Sequence, residues 1–187
     1  ALDKPPETGV VYSDLGFILL GKVLEEVYQQ PLDQCLHNNL VNKFSLGAMG
    51  YRPDTDKDIM PSSYGNPIEE KMVRDLGYTF TAWRPHTPIR GQTNDGNAHY
   101  AFQDVSGHAG LFADSKALAR LAQLYLNASS PLLKSSMQEQ AEGRGLGWQT
   151  GDMYPNGCGH TGFTGTSIYL SKALNIGCIL LTNRLYY

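Results

Sequence analysis

A chain of 187 residues, 41% hydrophobic and 18% charged, carries enough apolar material for one packed domain and lacks the composition of a disordered segment. With a net charge of -3 and its basic residues spread along the chain, it offers no basic face for nucleic acid. The apolar runs at 17–20 and 176–181 are too short to span a bilayer, and no secretory signal pattern opens the chain. Cys35, Cys158 and Cys178 show no Cys-x-x-Cys spacing, which argues against a disulfide framework or a structural zinc site.

In chain order, Leu15, Ile18, Leu19, Val23 and Val27 fall near one face of a helix over 14–28, with Ser13 or Asp14 at its start. Pro31 opens a second helix that runs to about Val41, proline being favoured at a first helical position. Residues 45–104 are rich in Pro, Gly, Asn and Asp and read as long irregular loops with one short helix near 69–76. Periodicity returns with Leu118, Leu121, Ala122 and Tyr125, a helix over 115–127, and a short helix follows Pro131. The character then changes. Residues 145–149 lead into a strand, 164–170 alternate, and 175–182 are continuously apolar with a turn between, an antiparallel hairpin in which Cys178 is a small core residue. The expected class is α+β, with a helical and loop-rich part over 1–142 and strands of a larger sheet over 143–187.

The chemistry centres on two short stretches. Tyr12, just ahead of the first helix, can carry a proton in acyl transfer if positive charge supports its phenolate; one of eleven tyrosines could equally pack at a helix entry. His160, Thr161 and Gly162 would present an imidazole, a hydroxyl and an open backbone along one strand edge. That arrangement suits a carboxylate beside a reacting carbonyl, with Gly162 admitting substrate close to the chain. Cys158, two residues before His160, raises a thiol nucleophile as the weaker alternative. The clusters at 94–99 and 107–110 hold His and Asp, but without metal-ligand spacing they read as tight turns, and no metal or organic cofactor is expected. The glycine-rich 143–147 run lacks phosphate-cradle spacing and reads as a turn into the sheet.

Tyr12-Ser13-Asp14-Leu15-Gly16, Gly107-His108-Ala109-Gly110-Leu111-Phe112, Gly145-Leu146-Gly147-Trp148 and His160-Thr161-Gly162 stand in an order that resembles the class C β-lactamase and penicillin-binding protein family. The resemblance implies a partial β-lactamase/transpeptidase-like fold and a serine hydrolase, D-alanyl-D-alanine carboxypeptidase-like, acting on peptidoglycan peptides or β-lactam-like molecules in the periplasm or cell envelope. It implies catalytic roles for Tyr12 and His160, and substrate contacts from Asp14, Thr161, Gly162 and the backbone N–H of Phe163. Two departures matter. Asp14 stands where many members carry Asn, and His160 where they carry Lys.

No serine in the chain is followed three residues later by lysine, so the Ser-x-x-Lys that supplies the family's nucleophile is not in this stretch. The expectation is therefore a C-terminal portion, inactive by itself, with any membrane anchor outside it and with an incomplete sheet prone to strand-mediated self-association. An esterase or β-lactamase of the same fold, or a non-catalytic module binding peptide or cell wall, are the alternative readings.

Overall fold

The computed structural model describes residues 9–55 and 58–186, which form two compact units. One holds 9–13 and Ser115–Thr182; the other holds Asp14–Asp114 and 183–186. Helices and small antiparallel sheets are mixed, as an α+β fold requires.

The second unit begins with α1, Asp14–Tyr28, the span that the periodicity predicts. Its acidic first residue complements the helix dipole. The helix is docked through backbone rather than through its leucines: Gly21 is its one buried residue, and a Cβ on Gly107 would lie 2.0 Å from the Phe17 carbonyl oxygen. The expected helix from Pro31 to Val41 divides into α2, Leu32–Leu36, and a π-helical turn, His37–Asn42. Asn39 supplies the reason, because its side-chain amide donates to the Cys35 carbonyl (3.1 Å), the acceptor that its own N–H would use in an α-helix.

The 45–104 stretch is irregular but held together by polar contacts. A two-residue β1, Met49–Gly50, pairs antiparallel with β2, Phe112–Ala113, and α3 spans Pro67–Asp75. The Arg84 side chain donates to Asn66 Oδ1 (2.6 Å) and to the carbonyls of Thr93 (2.8 Å) and Asn94 (3.1 Å). Glu69 accepts from the Gly96 N–H (2.6 Å) and from Asn66, while burial pushes its carboxyl above the usual range. Residues 94–99, expected as turns, instead lead into α4, Gly96–Phe102. Asp95 is its N-cap and accepts from the Ala98 N–H at 2.8 Å, a cap that the Asn and Gly content of the stretch conceals.

The first unit packs α5, Ser115–Leu126, on a three-stranded antiparallel sheet of β3, Cys158–Thr161, β4, Thr166–Ser171, and β5, Ile176–Leu181, in that order. The register places His160 opposite Ile168 and Ile168 opposite Ile179. Ala122, Trp148, Cys158 and Leu170 form the core, with the Tyr125 ring edge-on to Trp148 at 5.1 Å. The short α6, Pro131–Ser136, starts at its proline as predicted.

Two expectations fail here. Residues 145–149 do not extend into a strand: Gly145 N–H donates to the Trp148 carbonyl (2.9 Å) and Leu146 N–H to that of Ser136 (2.9 Å), which spends the backbone on a turn and leaves isolated bridges from Gln149 to Arg144 and to Gly159. Cys178 is exposed rather than part of the core. With Gly177 facing Ala122 and Leu126 of α5, the two-residue period of the strand turns Cys178 to the opposite face. Ile176, Leu180 and Leu181 are likewise exposed on β5, the outer strand of this sheet among the described residues.

Candidate active site

The first unit brings together two residues that are far apart in sequence. The Tyr12 and His160 rings lie 5.7 Å apart, centre to centre, tilted at 39°. His160 is held from β3, whose neighbours Cys158 and Gly159 are buried while the imidazole stays partly open. Its Nδ1 lies 2.8 Å from the Thr161 carbonyl oxygen. A carbonyl only accepts, so Nδ1 carries the proton and Nε2 is the ring atom left to exchange one.

The hairpin that follows is tight. Gly162 N–H donates to the Thr166 carbonyl (2.7 Å) and Gly165 N–H to that of Gly162 (3.0 Å). A Cβ on Gly162 would meet Thr166 Oγ1 at 2.3 Å, so the glycine is required by its own hairpin, apart from any closeness to substrate. Thr161 and Phe163 are both exposed beside it. Cys158 is fully buried and burial pushes its thiol up to about 11, which removes the thiolate that a nucleophile needs.

Arg144 is the residue that the sequence reading missed. Its guanidinium carbon lies 4.8 Å from the centre of the Tyr12 ring, within cation–π range. The available signal was a lone arginine in a run of glycines at 143–147.

Asp14 belongs to the second unit, where its carboxylate falls within 4.8 Å of ligand atoms of Asp95 and His108. His108 Nε2 donates to Asp95 Oδ1 (2.9 Å), and its Nδ1 therefore accepts from the Ser106 hydroxyl (2.8 Å) in the neutral ring. Hydroxyl, imidazole and carboxylate follow one another as in a serine hydrolase triad. Ser106 is only 4% exposed and the His108 side chain 2%, so no acyl group can reach them, and the chain of bonds instead ties the 106–110 loop to the start of α4. The same bonds occupy both ring nitrogens of His108, leaving two carboxylates but no free imidazole for a cation.

Residues 1–187, the whole chain, match the family model described as Beta-lactamase. The chain belongs to the β-lactamase family. Among curated relatives, the N-acetylmuramyl-L-alanine amidase of Bacillus subtilis is 31% identical over 98% of this chain and 46% of that protein. The protein named "Putative D-alanyl-D-alanine carboxypeptidase" in Escherichia coli is 28% identical over 98% of this chain and 47% of its own length. The chain thus spans about half the length of the curated relatives it matches. In fold it is similar to EstCE1, a hydrolase with promiscuous acyltransferase activity, with a TM-score of 0.60 and 19% identity over 96% of this chain and 52% of that one. These likenesses establish a member of the β-lactamase family whose curated relatives carry carboxypeptidase and amidase names.

Proposed function

We propose that the full-length protein is a serine acyl-transfer hydrolase of the cell envelope, D-alanyl-D-alanine carboxypeptidase-like, and that this chain supplies the C-terminal portion of its catalytic domain. The observation that carries the reading is the meeting of Tyr12 and His160 at 5.7 Å. In this reading a serine outside the chain attacks the peptide carbonyl and its proton passes to Tyr12. Tyr12 returns that proton to the leaving amine, and water then releases the acyl group by the reverse path. His160, with Thr161 and Gly162, draws the terminal carboxylate of the peptide, and the Phe163 N–H faces the oxyanion. The names of the carboxypeptidase and amidase relatives support peptidoglycan peptides as substrates, and the family description supports β-lactam-like molecules.

The test is release of D-alanine from a D-Ala-D-Ala peptide by the full-length protein. Tyr12→Phe lowers turnover by roughly 100-fold or more, the scale of a lost general acid/base. His160→Ala weakens carboxylate-bearing substrates more than neutral esters. A labelled penicillin modifies the full-length protein and leaves the isolated chain unmodified. Labelling of Cys158, or of any serine in the chain, with normal turnover would overturn the assignment. An esterase is the second reading, favoured by His160 standing where the family carries lysine, and equal loss on both substrate types in His160→Ala would select it.

A further inference from the structure

The loop over 139–150 is fixed by its own hydrogen bonds before it touches anything else. Glu142 (φ 41°) and Gly143 (φ 74°) are consecutive left-handed residues that reverse the chain. Arg144 N–H donates to the Ala141 carbonyl (2.8 Å), Gln140 N–H to that of Arg144 (2.7 Å) and Thr150 N–H to that of Gly143 (2.8 Å). Glu139 Oε1 accepts the Gly143 N–H at 2.9 Å. Bridges from Arg144 to Gln149 and from Gln149 to Gly159 join this turn to the strand that carries His160. The turn continues the sheet through these bridges.

Two side chains reach from it to the segment that carries Tyr12. Glu142 Oε2 accepts the Val10 N–H at 3.1 Å, and the Arg144 guanidinium lies over the Tyr12 ring at 4.8 Å. Val10 meets Glu142 and Tyr12 meets Arg144, so alternate residues of the segment meet alternate residues of the turn. Among the described residues neither charged group is in an ion pair, although the carboxylate and the guanidinium lie two residues apart. Each is committed to the Tyr12 segment instead. That segment has no helix or strand of its own over residues 9–13.

We propose that Glu142 and Arg144 are positioning residues: together they clasp the 10–12 segment and set the Tyr12 phenol against His160. The catalytic consequence rests on the proton-carrying role proposed for Tyr12; the clasp itself does not. Backbone capture by Glu142 fixes the height of the segment, and the planar guanidinium fixes the plane of the ring. Lysine, a point charge without a planar face, would replace the charge but not the stacking.

The experiment uses the full-length protein with ring-labelled tyrosine, the Tyr12 resonance being assigned by its loss in Tyr12→Phe. Arg144→Gln is expected to move the Tyr12 ring resonance and to lower kcat on the D-Ala-D-Ala peptide by about 10- to 100-fold, the cost of a misplaced reacting group, with KM changed less than about 2-fold. Arg144→Lys restores only part of kcat. Glu142→Gln, a milder change that keeps the size of the side chain, moves the same resonance less and is not additive with Arg144→Gln. An unmoved Tyr12 resonance in both variants, with the fold intact by circular dichroism, overturns the clasp. A moved resonance with turnover unaffected in Arg144→Gln and in Tyr12→Phe upholds the clasp and overturns the catalytic role of Tyr12.

Discussion

Helices α1 and α5 carry similar sequence signatures and are docked by opposite means. Helix α5 buries Ala117 and Ala122 and packs on β4 and β5, where Gly177 leaves room for Ala122 and Leu126, so its hold is side-chain burial. Helix α1 buries only Gly21, touches the 107 loop through backbone, and leaves Leu15, Leu19, Leu20, Val23 and Val27 exposed. Hydrophobic periodicity thus announces that a helix forms without saying which face is held or by what. Apolar burial can be lost a methyl group at a time. A backbone contact is kept or lost whole.

That contrast can be broken most sharply at Gly107. Gly107→Ala places a methyl group 2.0 Å from the Phe17 carbonyl oxygen, so we expect a loss of about 3 kcal/mol or failure of the second unit to fold, read by urea unfolding. Gly177→Ala, whose new methyl group meets only side chains at 3.4 to 3.5 Å, should stay within about 0.5 kcal/mol of the parent. Equal losses at the two glycines would erase the distinction. Leu170→Ala, which empties the fully buried site under α5, should cost roughly 2 to 4 kcal/mol by the same measurement.

A smaller effect separates the units by pH. Burial pushes the Cys158 thiol up to about 11, whereas the unfolded chain releases that proton near pH 9. The stability that Cys158 contributes is therefore complete below about pH 9 and is lost as pH rises toward 11, at most roughly 2 to 3 kcal/mol. Burial pushes Tyr51, in the second unit, up to about 12, so its loss comes at higher pH. Unfolding titrations should show the first unit weakening first, and Cys158→Ala should flatten that step. The smallest effect belongs to the exposed face of α1: Leu19→Ser should change stability by less than about 0.5 kcal/mol.

The elements legible in the sequence are those whose signal is local. The α1 span, the hairpin of β4 and β5, and the helix start at Pro131 follow from period and punctuation within one window. What was hidden depends on partners distant in sequence. The His108 relay needs residues from separate loops, and the stretch 145–149, expected to lead into a strand, instead makes a turn that closes on the Ser136 carbonyl. In the site, Tyr12 and His160 could be chosen as residue types suited to the chemistry. Arg144 could not, because an arginine among glycines looks like any solvated turn until Tyr12 lies beneath it.

The placement of the three cysteines turns the sheet into an addressable surface. Cys35 and Cys158 are buried, so a maleimide at neutral pH finds a single site, Cys178 on the outer face of β5. Cys178 sits opposite Tyr169, and Tyr169 opposite Gly159, the residue before His160. A fluorophore or spin label attached there would sit two strands from the imidazole and report occupancy of the site without engineering a cysteine or removing one.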